Sequence, residues 1–475
     1  ARALQVLLRS NFPSFIRKCF QTLEPGRTWL DGWHVRHIAW QLQRVASGEN
    51  TRLIINIPPR YAKSMVTSIA WTAFLLGHDP SLRIMCISHT AELARAHAIA
   101  FRTIVEATWY QELFPNLRAG RPRSRDLEFL TSQGGYRIAL SMTGSILGRG
   151  ADIIIIDDPM RGEAAYSEAE RRRVKEVFDG TISTRLNDKE KGAIVLVMQR
   201  LHADDLVAHV MEQESWEVVS IPAVATAPTA FRLGNLQADI YHRAEGELLQ
   251  PEREGRQSLE TMRRRLGTLG FSAQYQQEPV PQDGSVIRRD WIRYYDTPPA
   301  RFDLVITSWD TASTLEENSD WSVGTAWGLH RGQFYLLDLV RGRFDVPDLR
   351  RQIMQLHERH AAATTIIEKT ALGHAILQEL RSSGRIRPIL KEPRYDKQSR
   401  MLAQSPKFEA GQVLLPREAP WLATYLGELL QFPRGRHDDQ VDSTSQALKY
   451  LGERLAAMDP IRPAGTPRPG SNRRP

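Results

Sequence analysis

The sequence predicts an α/β protein with two sheets, the first mostly parallel and the second mixed. Three observations carry this. Short, continuously apolar runs alternate with helical patterns over the first half of the chain. A Pro-, Gly- and Asp-rich stretch at 279–285 then interrupts the pattern. Beyond it a strand, an alternating hairpin pattern and further strands and helices begin a second α/β unit.

Residues 1–50 read as helical, with "HVRHIAWQLQRVASGEN" ending at a Gly-Glu-Asn stop. The strands of the first unit are "RLIINIP" (52–58), "RIMCISH" (83–89), "DIIIIDD" (152–158), "GAIVLVMQ" (192–199) and "EVVSIPAV" (217–224). They are apolar throughout rather than alternating, as strands are when helices cover both faces of a parallel sheet. Residues 225–295 form a subdomain and linker, with "GELLQPER" and the helical "SLETMRRRLGTLGFSAQYQQ". The second unit, 296–455, opens with the strand "DLVITSWD" (303–310). "SVGTAWGLHRGQFYLLDLV" (322–340) alternates about Arg331-Gly332 and predicts a hairpin. A helix, the strand "TTIIEK" (364–369), more helices, the strand "VLLP" (413–416) and a last helix from "HDDQVDS" follow. The basic, Pro- and Gly-rich end, 456–475, predicts a flexible tail.

The 475 residues are 41% hydrophobic and 25% charged, a composition of packed domains rather than of a disordered chain. The net charge of +8 is carried mostly by Arg, which suits a polyanionic partner but equally follows from compositional drift. Two cysteines, Cys19 and Cys86, support neither a disulfide framework nor a Cys-based metal site. No signal peptide or spanning run is evident, so a soluble cytoplasmic protein without membrane contact is expected.

Two constellations carry chemistry. The first is "IPPRYAKS", in which Lys63 and Ser64 stand between a strand and an apolar helix. That is the order of a phosphate-binding P-loop, whose Lys reaches the β- and γ-phosphates and whose Ser ligates Mg²⁺. Ile57 and Ala62 occupy the usual glycine positions, so alone the match is weak and Lys63 could be a surface lysine. "DIIIIDDP" strengthens it, because acids at the end of a parallel strand point into the crevice where ligands bind. Asp157 is expected to hold Mg²⁺ and Asp158 to polarise the attacking water; solvated strand-end acids are the plainer alternative. "ISHTAELARAHA" opens a helix after the second strand, and Gln199 and Arg200 follow a later strand where they would contact the γ-phosphate region. An ATPase domain over 1–224 is the expectation.

The second constellation is an acid set. Asp310 ends one strand, Glu368 another, and Asp438, Asp439 and Asp442 open the last helix, with Asp439 and Asp442 on one face. This is the acid distribution of an RNase H-like nuclease. Hard ions such as Mg²⁺ or Mn²⁺ take oxygen ligands, and two of them about 4 Å apart clamp the attacking and leaving oxygens of a phosphodiester. Acids at a helix start also complement its dipole, the plainer account of Asp438. Asp320 is a weaker accessory candidate.

At this point the chain resembles the large terminase subunits of tailed bacteriophages, prophages and gene-transfer particles. "RLIINIPPRYAKS", "ISHTAELARAHA", "ADIIIIDDP", "LVMQRLHADDL", "GELLQPER", "FSAQYQQEPVPQDG", "SWDTAS", "SDWSVGTAWG", "IIEKTALG" and "FPRGRHDDQVDS" match in order over about residues 50–450. The family's loop commonly carries Pro-Pro-Arg before Gly-Lys-Ser; here Ala62 replaces the Gly. Ala takes positive φ only at a cost. The resemblance implies a P-loop ATPase domain joined to an RNase H-like nuclease. It implies ATP-driven translocation of double-stranded DNA into a procapsid, and endonuclease cutting of concatemers at initiation and termination. It makes Asp158 the catalytic carboxylate and Asp310, Glu368 and Asp442 the nuclease acids, with Asp439 as a further ligand. Arg60 and Arg149 become arginine-finger candidates. The implied partners are the portal protein and a small terminase subunit. The implied assembly is a ring of five on the procapsid, from a monomer in solution, in the host bacterial cytoplasm. A helicase-nuclease of repair or recombination and a DNA-binding assembly factor with decayed catalysis are the alternatives; strand separation without a capsid partner, or no Mg²⁺-dependent turnover, would mark them.

Overall fold

The computed structural model of the chain describes residues 2–120, 126–144, 148–280, 284–311, 321–382, 386, 388–435 and 437–458. Asp320, most of the basic tail and the middle of the 279–285 stretch lie outside these. The chain divides into two compact units, Ala1–Gln282 and Asp283–Pro475.

In the first unit a seven-stranded sheet runs β3-β4-β2-β5-β6-β1-β7. The strands are β1 (Arg52–Asn56), β2 (Arg83–Ser88), β3 (Glu128–Leu130), β4 (Tyr136–Ser141), β5 (Ile153–Asp157), β6 (Ala193–Met198) and β7 (Glu217–Ser220). All neighbours pair in parallel except β3 on β4, at the edge. β1, β5 and β6 are almost wholly buried, which is why they are apolar at every position. Helices Phe12–Leu23 and Trp33–Ala46 contribute Phe12, Phe15, Ile38 and Leu42 to the same core. Asn11, Thr90 and Asp205 cap helices with their side chains, each accepting a backbone N–H of the first turn. Residues 225–282 belong to this unit and add the hairpin β8 (Thr229–Arg232) and β9 (Ile240–Arg243) and the helix Arg256–Gln274.

The second unit holds a sheet of order β10-β16-β13-β12-β11-β14-β15. Its strands are β10 (Arg293–Tyr295), β11 (Leu304–Asp310), β12 (Ser322–His330), β13 (Gln333–Gly342), β14 (Thr364–Glu368), β15 (Pro388–Lys391) and β16 (Val413–Pro416). β11, β12 and β13 are antiparallel neighbours, while β14 pairs parallel to β11, so the sheet is mixed. Arg331 and Gly332 turn the hairpin with φ of 50° and 78°. Trp309 fills the core on one face with Ala326, Ile353 and Ile367. The helix Asp439–Met458 packs on the other face. Among the described residues no helix is long and apolar enough to cross a membrane.

Candidate functional site

The two acid constellations fall in different units. In the first, sheet order does the assembling. β6 lies between β1 and β5, so the loop leaving β1, the acids ending β5 and Gln199 after β6 emerge side by side. The buried Lys63 ammonium sits 2.9 Å from Asp158 Oδ1 and also donates to Gln199 Oε1. Ser64 Oγ donates to Asp157 Oδ1 at 3.0 Å, and Ser68 Oγ donates to Oδ2 at 2.6 Å. Burial raises the carboxyl of Asp157, against the hydrogen bonds from Ser68 and Ser64 and the charge of Lys63. Asp158 is raised by burial too, opposed by Lys63 and assisted by Asp157. Two carboxylates at one lysine, Asp157 buried and Asp158 partly so, form a site in need of more positive charge, which suits a divalent cation.

The loop is built without glycine, yet it takes the backbone glycine would take. Arg60 and Ala62 have φ of 72° and 62°, and Asp158 has 47°. The loop is pinned from residues 250–255: Arg253 Nη1 donates to the Arg60 carbonyl at 2.8 Å, and Tyr61 Oη donates to Glu254 Oε2 at 3.0 Å. His34 abuts the Tyr61 ring edge-on, with centroids 5.7 Å apart. The Arg60 side chain itself is exposed. Arg200 is committed elsewhere: its Nε donates to Asp205 Oδ2 at 2.9 Å and its N–H to Gln277 Oε1 at 2.9 Å. Arg149 pairs with Glu128 Oε1 at 3.2 Å within its own chain and lies over the Tyr136 ring. Sequence reasoning missed Ser68, His89 and His97. Ser68 stands one helical turn beyond Ser64, which was a usable signal. His89 Nδ1 lies 3.1 Å from the Asp158 carbonyl and His97 Nδ1 lies 3.7 Å from Asp157 Oδ2.

In the second unit the last helix is seated on the sheet by hydroxyls. Ser308 Oγ donates to the Ser443 carbonyl at 2.9 Å, Ser443 Oγ returns a bond to the Ser308 carbonyl at 2.8 Å, and Thr325 Oγ1 lies 2.7 Å from Ser443 Oγ. This brings Asp442 to Asp310. Asp310 is partly buried at the end of β11, and its carboxyl is pushed well up, first by desolvation, then by Asp442 and Glu368, with Lys397 opposing and Asp439 adding a smaller push. Asp442 is raised to about 6 by burial, with Arg400 and Lys397 opposing and Glu368 assisting. Asp310, Glu368, Asp439 and Asp442 are therefore electrostatic neighbours. Asp438 is half-buried just before the helix.

Two cations that sequence reasoning missed are threaded through these acids. Arg400 donates from Nη1 to Glu368 Oε2 and from Nη2 to Asp442 Oδ1, both at 2.8 Å. Lys397 reaches Asp442 Oδ2 at 2.8 Å and Asp438 Oδ1 at 2.6 Å. "DKQSR" gave only an i, i+3 spacing, with nothing to tie it to acids far along the chain. Among the described residues no group of three or more His, Cys, Asp or Glu side chains is disposed to hold a metal ion. The acids match a hard cation in kind: carboxylate oxygens, wholly or partly buried and mutually repelling.

Residues 307–451 match the family model described as "Terminase RNaseH-like domain". The match spans all four acids and both cations. Among solved structures, the large terminase of a thermophilic bacteriophage has the same fold. One crystal form superimposes with a TM-score of 0.57 at 12% identity, covering 91% of this chain and 98% of that one. Another gives 0.54 at 13% identity over the same shares. A third structure of that protein, a complex with ATP-gamma-S, gives 0.54 at 12% identity, again over 91% and 98%. No curated protein sequence matches.

Proposed function

We propose that this chain, whose residues 307–451 are a terminase RNase H-like domain and whose fold is that of phage large terminases, is the motor and nuclease of a viral DNA-packaging machine. The observation that carries the reading is a separate acid constellation in each of two compact units, the first beside a phosphate-loop lysine and the second within the matched family domain. The thermophilic phage protein's complex with ATP-gamma-S supports a nucleotide in the first.

In the ATPase unit Lys63 would reach the phosphates of ATP, and Ser64 and Asp157 would hold Mg²⁺. Asp158 would orient and polarise the attacking water, with Gln199 beside the γ-phosphate. Lys63 now rests on Asp158 and Gln199, so ATP would draw it from partners that then face the reacting group. Arg60, Arg149 and Arg200 are assigned supporting roles at most: Arg60 is exposed, and the other two already have carboxylate partners.

In the nuclease unit Asp310, Glu368, Asp439 and Asp442 would hold Mg²⁺ or Mn²⁺, two ions in all. Such ions generate a nucleophile and stabilise the leaving oxygen of a phosphodiester. The protein's part is to converge carboxylates from β11, β14 and the last helix on one point. ATP hydrolysis would drive double-stranded DNA through contacts with its phosphates, which are sequence-independent and salt-sensitive. The partners would be the portal protein and a small terminase subunit, with the chain acting as a ring of five docked on the procapsid in the host cytoplasm.

The test is plasmid cleavage with Mn²⁺ or Mg²⁺ by wild type and Asp310→Ala, with ATP hydrolysis assayed on the same proteins. Loss of cutting with ATP hydrolysis retained is the expected result. Undiminished cutting by Asp310→Ala would make the acid cluster structural.

A further inference from the structure

The acids of the second unit do not stand alone. Arg400 and Lys397 come from one short helix, Lys397–Leu402, whose start is fixed by Asp396 accepting the Ser399 N–H at 2.8 Å. The two are i and i+3, so they project from one face toward one place. The Arg400 fork spans acids from two different elements, Glu368 at the end of β14 and Asp442 in the last helix. Lys397 takes the other oxygen of Asp442. Both oxygens of Asp442 are thus engaged by cations of this chain, while that side chain is only 1% exposed. Arg400 Nε is buried with no hydrogen-bond partner among the described residues. The guanidinium is therefore held by its two carboxylates and by little else.

Resting on the nuclease reading above, we propose that Arg400 and Lys397 are built-in counter-cations of the metal site. They hold Glu368 and Asp442 in register and compete with divalent metal for Asp442, so that metal occupancy, and with it cutting, is restrained by this chain's own residues. Four carboxylates attract a divalent ion, and the largely buried Arg400 with the more exposed Lys397 offsets half of that charge. Arg400 and Lys397 each take one lone pair of an Asp442 oxygen and oppose an incoming metal ion by charge. Arg400 and Lys397 are positioning residues in this scheme, and no chemistry passes through them.

The experiment is Mn²⁺ binding to the full chain without DNA, read from the paramagnetic signal of free Mn²⁺. Wild type, Arg400→Gln, Arg400→Lys, Lys397→Gln and Asp310→Asn are compared, each checked for folding by circular dichroism and thermal melting. The expected result is Mn²⁺ binding tightened about threefold to tenfold in Arg400→Gln and Lys397→Gln, from the loss of one competing charge, with Arg400→Lys between them and wild type. Asp310→Asn should bind more weakly. Arg400→Gln should also melt lower than Arg400→Lys, because Glu368 and Asp442 lose the cation that separates them. If Asp310→Asn weakens binding but neither Gln variant tightens it, the counter-cation proposal fails and the metal site stands. If no variant binds Mn²⁺, both fail. If only the Gln variants bind, restraint is supported in its strongest form. Arg400→Lys guards against misfolding of Arg400→Gln: should it bind no more tightly than wild type while Lys397→Gln also does not, the proposal is overturned.

Discussion

At the scale of single residues, the first unit buries a histidine that sequence reading passed over. His34 is buried against Tyr61, in the loop that leaves β1. Burial, with Arg253 and Arg243 nearby, lowers its pKa to about 3. The neutral ring is thus favoured in the folded chain, while the unfolded chain takes up a proton near pH 6.5. Between those values the unfolded state binds more protons, so stability rises with pH and is lost as pH falls from 6.5 toward 3. From pH 6.5 to 5 this amounts to about 2 kcal/mol. Chemical denaturation of wild type and His34→Gln at the two pH values should show the wild type losing about that much more. Equal losses would mean that His34 is charged or open to water. The placement of Lys63, Ser64, Asp157, Asp310, Glu368 and Asp442 could be read from the sequence because each ends a strand or opens a helix. Arg400 and Lys397 could not, because only the folded chain sets them beside Glu368 and Asp442.

At the scale of elements, what was legible followed burial. β1, β2, β5 and β6 are apolar runs because both faces are covered, and periodicity finds them. β4 carries Arg137 as its second residue, buried over the Phe101 ring, and so did not read as a strand of the core. β3, β10 and β15 have three or four residues each, too few to show a period. The acid end of β11 rests on close packing with β12. A Cβ at Gly324 would lie 2.5 Å from the Trp309 ring, which is fully buried next to Asp310. Gly324→Ala should therefore cost about 1–3 kcal/mol by overpacking, and plasmid cleavage should fall with it as Asp310 shifts. Unfolding curves and cleavage rates on one preparation would check both. A neutral substitution would show that Trp309 has room to move.

At the scale of the whole molecule, the two units each carry one acid set, and the activities should come apart from either side. Asp158→Asn removes the carboxylate paired with Lys63 and leaves the other unit untouched. Its ATP hydrolysis should drop by at least about 10²-fold, as for loss of a positioned acid or base, with metal-dependent plasmid cleavage within about twofold of wild type. Timed assays of both activities would decide it; a parallel fall in cutting would mean that the sites do not act independently. The net charge of +8 belongs to this scale too, and has meaning only as a long-range field on a polyanion.

The loop that leaves β1 leads to a last consequence. Glycine would let such a loop sample many shapes and settle when a phosphate arrives. Here Arg60 and Ala62 hold left-handed φ against the preference of their side chains, and Arg253 and Glu254 fasten the result from outside. The conformational entropy of the loop is surrendered when the chain folds, with the core supplying the driving force. On the proposed function, little of it would remain to be lost when nucleotide binds, and each turnover would begin from a loop already in order.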